Sequence, residues 1–95
     1  MSFEALHEAE AIATLDVRCD DCAWDIEGRE GVMLRITVDG RYVQHLPVAR
    51  TGRAAYRVML GAMERGPHVV RAEIDRDLTA AQLRDTGQVV ETIAV

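Results

Sequence analysis

The chain has 95 residues, which is the length of a single domain. Hydrophobic residues make up 48% of it and charged residues 28%, the composition of an ordinary globular protein. Its formal net charge of −5 argues against nucleic acid or an anionic membrane as the main partner, because both require a basic surface. No stretch approaches the roughly 20 apolar residues of a membrane span, and no basic start with an apolar run marks a secretion signal. The localisation therefore stays open.

The first predicted elements are a short helical segment and a strand, within one domain spanning residues 1–95. Residues 3–10 include good helix formers and predict a turn or two of helix, or a frayed terminus. From Ala11 onward the apolar residues recur at every second position, as in a strand with one buried face. That face carries Ala11, Ala13, Leu15, Val17 and Cys19.

The clearest strand, residues 31–38, leads directly into a hairpin turn. Its apolar side chains alternate with Met33, Arg35 and Thr37. Asp39-Gly40 follows at once, and this pair is typical of tight hairpin turns because glycine tolerates positive φ. The return strand, residues 41–48, contains Pro47, which indicates an edge strand or a strand end.

The length of this turn decides which side chains of the return strand face the core. A two-residue turn would place His45 beside Leu34 on the apolar face. A three-residue loop would turn His45 outward beside Arg35. It would also bury three side chains, Tyr42, Leu46 and Val48. We favour the three-residue loop, because it buries more apolar surface and leaves no unpaired imidazole in the core.

The rest of the chain predicts further strands separated by polar turns. The strands are expected at residues 54–60, 67–75 and 89–95, with turns at 49–53 and 61–67. Residues 76–86 are polar and predict at most a short helical turn through Leu78, Ala81 and Leu83. About six or seven short strands in all are typical of an all-β sandwich, and a small barrel is the main alternative.

Residues 56–75, which read YRVMLGAMERGPHVVRAEID, are similar to the late hairpin of bacterial immunoglobulin-like and fibronectin type III-like modules. Gly66, His68, Val70, Ala72 and Asp75 stand at the matching places, and the earlier VDGRY of residues 38–42 is also common in such modules. The resemblance implies an immunoglobulin-like sandwich of about seven strands. It also implies an accessory role in spacing, docking or recognition of a glycan or protein, without catalytic residues.

Cys19 and Cys22 form the one motif with chemical potential. A zinc site needs four ligands, and the three histidines are scattered. A thioredoxin-like redox site would need a βαβ context. We therefore favour two structural thiols, with a disulfide or a metal or redox site as alternatives, and expect no cofactor. The nearby acids lack calcium-loop spacing and predict a solvated turn; they are Asp20, Asp21, Asp25, Glu27 and Glu30.

Trp24 lies in the same acidic loop. A lone tryptophan more often caps the core, whereas an exposed one would suit sugar stacking or an interface. The candidate binding residues are Trp24, Arg35 and His45. Ser2, the sole serine, is at the terminus, so a Ser-His-Asp arrangement is not expected.

The sequence therefore predicts a non-catalytic module of a larger protein, acting as a structural spacer or a protein-interaction domain. Its partner would be a neighbouring domain or a second copy, because edge strands and the outward-facing Met33 and Met59 favour association. The alternatives are a carbohydrate-binding module that uses Trp24 and a metal or redox site at Cys19 and Cys22. Nucleic-acid binding and membrane insertion are not expected.

Overall fold

The computed structural model describes residues 1–5, 9–85 and 89–95. Within these residues there are seven β-strands and two 3₁₀ turns, and no α-helix. The strands are β1 (Ser2–Ala5), β2 (Ala9–Cys19), β3 (Val32–Val38), β4 (Arg41–Val48), β5 (Gly52–Met63), β6 (Gly66–Ile74) and β7 (Val90–Ala94). The 3₁₀ turns are Arg76–Leu78 and Ala81–Leu83. No helix in the described part of the chain is long and apolar enough to cross a membrane.

The strands form two antiparallel sheets, in the orders β1-β6-β3-β4 and β5-β2-β7. Their inner faces contribute to one hydrophobic core, in which Leu15 of β2 and Ile36 of β3 are both fully buried. The alternation predicted for β2 and β3 is confirmed, since the side chains of each buried set point into this core. The chain is therefore all-β, and its two facing sheets are compatible with a sandwich.

The prediction of a helical or frayed segment at residues 3–10 is wrong where the structure describes it. Ser2–Ala5 forms β1, which pairs antiparallel with the outer edge of β6. The backbone of Met1 exchanges hydrogen bonds of 2.8 Å with Val70, and the Phe3 ring packs on the ring of His68. The exposed edge of β6 offers these backbone partners, and they outweigh the weak local helix preference. Residues 6–8 of the predicted segment lie outside the described residues.

The β3–β4 hairpin has the two-residue turn of one predicted register. Beyond the turn, its side chains face as the other register predicts, with His45 outward. Asp39 and Gly40, at φ of +52° and +79°, form a two-residue turn, so the expected three-residue loop is wrong. A bulge at Val43 then shifts the pairing by one residue. Leu46 consequently lies opposite Leu34, as predicted, and His45 lies opposite Arg35 on the outer face. Tyr42 precedes the bulge and is exposed instead of buried.

Strand β5 is longer than its sequence pattern predicts. The predicted turn at residues 61–67 is reduced to two residues, because β5 continues to Met63. The pairing with β2 shifts between Ala11 and Ile12, where Leu60 is the additional residue, and Gly61 has a φ of +90°. The bulge lets the strand bend and continue. The predicted helical turn in residues 76–86 is present as the two 3₁₀ turns, and Pro47 does lie in an edge strand.

The turn of the β3–β4 hairpin is fastened to β6 by a pair of charged side chains. Asp39 accepts hydrogen bonds from the Val69 amide at 2.8 Å and from Nδ1 of His68 at 2.7 Å. The other ring nitrogen of His68 lies 2.6 Å from the carbonyl oxygen of Glu64. Both partners are acceptors, so the two bonds form together only when the imidazole is protonated on both ring nitrogens. The bonds to Asp39 and then to Glu64 raise the pKa of His68, and the bond from His68 lowers the pKa of Asp39.

A pair of substitutions in β2 tests which face of the strand is buried. Leu15→Ala should lower the free energy of unfolding by about 2–5 kcal/mol, because it leaves a cavity between the sheets. Ile12→Ala should change it by only about 0.5 kcal/mol, because Ile12 is 41% exposed on the opposite face. Urea denaturation of the two variants measures both values. Equal losses would contradict the assignment of the inner face.

The His68–Asp39 pair predicts a pH-dependent contribution to stability. The contribution of His68 is complete below its ordinary pKa of about 6.5 and is lost as pH rises through its raised folded-state value. That of Asp39 is present above about pH 3.9 and is lost as pH falls through its lowered value. The melting temperature of the wild type should therefore exceed that of His68→Gln most at about pH 5, and the difference should shrink in alkaline buffer. A difference that is constant with pH would contradict the charged pair.

Candidate functional site

An open groove lies at one end of the two sheets. It is formed between the Trp24 loop, which we define as residues 20–31, and the 75–84 segment, which carries the two 3₁₀ turns. Its volume is about 520 Å³. The floor is a cross-strand pair, Met33 of β3 and Pro47 of β4. The walls include Trp24, Glu27, Gly28, Glu30 and Gly31 on one side and Asp77, Leu78, Thr79, Ala80, Ala81 and Arg84 on the other.

A disulfide bond between Cys19 and Cys22 holds the start of the Trp24 loop against the core. Both residues are buried, and the chain has no other cysteine. The favoured interpretation as two structural thiols is therefore wrong, and the disulfide alternative is correct. The Cα atoms of the two cysteines lie 5.4 Å apart, which is close enough for a disulfide bond. Both side chains belong to the hydrophobic core. The Thr51 hydroxyl, from the β4–β5 connection, donates a hydrogen bond to the Cys22 carbonyl oxygen.

The Trp24 loop is folded by its own backbone hydrogen bonds. The Ala23 amide donates to the Arg29 carbonyl oxygen at 2.8 Å, and the Arg29 amide donates to the carbonyl oxygen of Ile26 at 3.0 Å. The Arg29 side chain donates through Nε to the Asp21 carbonyl oxygen at 2.7 Å. These bonds close the loop into turns, so the loop holds a defined shape without forming a strand or helix.

Further hydrogen bonds join the loop to the 75–84 segment. The amides of Ala80 and Gln82 donate to the carbonyl oxygens of Gly31 and Gly28, at 3.0 and 2.8 Å. The buried Thr79 hydroxyl accepts from the Met33 amide at 3.0 Å and donates to the Asp75 carbonyl oxygen at 2.7 Å. A Cβ at Gly28 would lie 2.9 Å from the side chain of Gln82, and its φ is +85°. Glycine at this position therefore permits the close approach of the two walls.

Trp24 is 74% exposed on the wall of the groove. The expectation that a lone tryptophan caps the core is therefore wrong, and the alternative of an exposed ring is correct. The core at this end is already filled by the disulfide and by Leu83, both fully buried. The indole is left in water, where a large apolar surface is available for contact with another molecule.

The groove is acidic as well as apolar. Three carboxylates line it, those of Glu27, Glu30 and Asp77, against one guanidinium, that of Arg84. Oε1 of Glu30 is buried and accepts no hydrogen bond from any described residue. Among residues 1–5, 9–85 and 89–95, however, no three His, Cys, Asp or Glu side chains are grouped closely enough to hold a metal ion. With three carboxylates against one guanidinium, the groove has a negative potential.

Arg35 and His45 lie opposite each other on the outer face, one cross-strand pair beyond the groove floor. The two His45 ring nitrogens lie 2.8 Å from the Asp75 carboxylate and 2.8 Å from the Tyr42 hydroxyl. Arg35 stacks over the Tyr42 ring, with 5.5 Å between guanidinium carbon and ring centroid. The bond with His45 is the main cause of the lowered pKa of Asp75. His45 therefore faces outward, and both of its ring nitrogens already have hydrogen-bond partners.

The structure brings two of the predicted binding residues together and places the third nearby in the fold. Arg35 and His45 share one network on the outer face, and Trp24 stands on the wall of the adjoining groove. Sequence analysis did not identify Tyr42 and Asp75 as partners of His45. The distance of 30 residues between His45 and Asp75 left no local signal for this contact.

Comparison with known proteins finds no relative. No family model, no curated protein and no solved structure matches the chain. The resemblance to immunoglobulin-like and fibronectin type III-like modules therefore stays a prediction, and so do the binding roles of Trp24, Arg35 and His45.

Removing the disulfide should destabilise the protein moderately. Replacing Cys19 and Cys22 together by alanine should lower the free energy of unfolding by about 2 kcal/mol, the loop-closure entropy for so short a loop. A reducing agent should shift the unfolding midpoint of the wild type toward that of the variant and leave the variant unchanged. If the reducing agent leaves the wild-type midpoint unchanged as well, the disulfide does not hold the loop in solution.

Proposed function

We propose that this chain is a non-catalytic, immunoglobulin-like β-sandwich module that binds a partner protein in the groove beside Trp24. In this role it is an interaction domain of a larger protein, and the sheets serve as the rigid support of the groove. The observation that carries the proposal is the exposed indole on a wall whose shape is fixed by backbone hydrogen bonds.

Five central strands support the immunoglobulin-like assignment. Such a sandwich has strands A, B, E and D in one sheet and C, F and G in the other, with C′ added to the second sheet in variable domains. Here β2 pairs with β5 as B does with E, and β3 lies between β6 and β4 as C lies between F and C′. The first and last strands lie in the sheets opposite to those of A and G. The proposal therefore rests on the central five strands.

The preorganisation of the groove supports a binding role. Its volume of about 520 Å³ is large enough to hold a side chain or a small ligand. Hydrogen bonds from Ala80 and Gln82 to the Trp24 loop exist before any partner arrives. Binding to a surface that is already ordered costs less conformational entropy. Tryptophan is also among the residues that contribute most to protein interfaces.

A carbohydrate ligand is the second candidate function. An indole that is 74% exposed presents a flat apolar face, on which a sugar ring can stack. The carboxylates of Glu27 and Asp77 lie in the same groove and could accept hydrogen bonds from sugar hydroxyls. The experiment below distinguishes this function from protein binding.

Selection from a displayed peptide library, followed by affinity measurement, tests the proposed function. Peptides selected on the wild-type protein should bind Trp24→Ala at least about 30-fold more weakly, as expected for an interface hot spot. Ile12→Ala is the matched control, because Ile12 is a large apolar residue that is 41% exposed on β2, away from this groove. Its affinity should equal that of the wild type.

Two outcomes would contradict a protein-binding groove. The first is the selection of peptides that bind Trp24→Ala and the wild type equally. The second is a failure to select peptides combined with glycan-array signals that Trp24→Ala abolishes, which would establish the carbohydrate function instead. Because Trp24 is the sole tryptophan, its fluorescence reports binding at this groove in either case.

A further inference from the structure

We infer that the groove takes an arginine side chain of the partner protein, whose guanidinium stacks on Trp24 while the acidic walls neutralise its charge. This inference rests on the proposed function and specifies the chemistry of the partner. It is carried by three features that meet in the groove: an exposed indole, an excess of carboxylates and an apolar floor.

The charge of the groove favours a cation. The lining contains three carboxylates and one guanidinium, so its formal charge is negative even though the floor is apolar. No hydrogen bond or ion pair within the described residues engages the carboxylates of Glu27, Glu30 or Asp77. Arg84, on the same wall, donates through Nε to the Thr79 carbonyl oxygen at 3.3 Å and forms no ion pair with an acid of the described residues. The acids of the groove are therefore not neutralised from within the described chain.

Glu30 adds an energetic argument for the same occupant. Its Oε1 is withdrawn from water and has no donor among the described residues. A buried carboxylate oxygen without a partner is costly, and a nearby positive charge reduces that cost through space, without direct contact. A cation seated between the walls would therefore gain more here than at an exposed surface carboxylate.

The apolar surfaces favour arginine among the cations. A guanidinium is planar and weakly hydrated, so it stacks on an indole face while its edge pairs with carboxylates. The arginine stem has three methylene groups, which can lie along the floor formed by Met33 and Pro47. A lysine ammonium is compact and strongly hydrated, and it gains less from the flat face of Trp24.

The test uses one neutral peptide scaffold, built of glycine and serine, with a single variable central residue. Binding is followed by the fluorescence of Trp24 in the full-length chain. The arginine peptide should bind about tenfold more tightly than the citrulline peptide, which keeps the shape but lacks the charge. The lysine peptide should lie between the two. Added salt should weaken binding of the arginine and lysine peptides, which carry a charge, and leave binding of the neutral citrulline peptide unchanged.

Variants of the walls show whether the response arises in the groove. Glu30→Gln and Asp77→Asn should each weaken binding of the arginine peptide several-fold. Glu10→Gln is the matched control, because it removes the same charge from an exposed position on β2, opposite Ala62 at the far end of the sheet. Thermal melts establish that each variant is folded. Unchanged affinity in Glu30→Gln and Asp77→Asn, or equal losses in Glu10→Gln, would overturn the inference.

The outcomes separate this inference from the proposed function. Equal binding of the arginine and citrulline peptides would overturn the arginine assignment. Library peptides that still depend on Trp24 would in that case leave the protein-binding groove standing. A dimer of the chain that the arginine peptide dissociates would show that the occupant is an arginine of a second copy, and would overturn the assignment to a different partner protein.

Discussion

Every other feature of this molecule depends on the burial of one apolar face from each of two sheets. Neither sheet can be stable alone, because each strand presents only every second side chain to the core. Leu15 and Val17 from one sheet meet Leu34 and Ile36 from the other in a single cluster. That contact fixes the register of the strands, since a slip of one residue would turn the apolar set toward water.

The same contact gathers the loops of the candidate site at one end of the molecule. Strands β2, β4 and β6 end there, and β3, β5 and β7 begin there. The connections between them, the Trp24 loop, residues 49–51 and the 75–84 segment, are therefore neighbours. Thr51 and Thr79 join them through side-chain hydrogen bonds to the backbone. The sheets thereby hold these loops in a defined arrangement, although the loops form no strand themselves.

The fold was largely predictable from the sequence because its main signal is local. Alternation along β2, β3 and β6 depends only on neighbouring residues, and it correctly indicated an all-β chain. The errors came from features that local alternation does not report, a distant strand edge and a bulge. β1 formed because β6, more than 60 residues away in the chain, offered an edge, and Tyr42 turned outward because a bulge at Val43, not a longer loop, corrected the register.

The site was predictable only as a set of residue types. Trp24, Arg35 and His45 were identified as candidates, but nothing in the sequence could place Asp75 on His45 or Asp77 across from Glu27. Both placements depend on how the 75–84 segment folds back over β3. The Asp75 amide fixes the start of this segment by donating a hydrogen bond to the Met33 carbonyl oxygen. The disulfide was weighed and not favoured, because the spacing of Cys19 and Cys22 does not by itself reveal whether the loop brings the sulfurs together.

The groove combines two features that add nothing to the stability of the core. Trp24 is the most exposed large apolar side chain among the described residues, at 74%. Elsewhere, His68 and Asp39 satisfy each other with hydrogen bonds, yet Glu30 has a buried oxygen with no donor in the described structure. An exposed indole contributes little to folding, and a buried carboxylate oxygen without a donor costs free energy. Both features lie in one preorganised groove, and this coincidence supports the proposal that the groove binds a ligand.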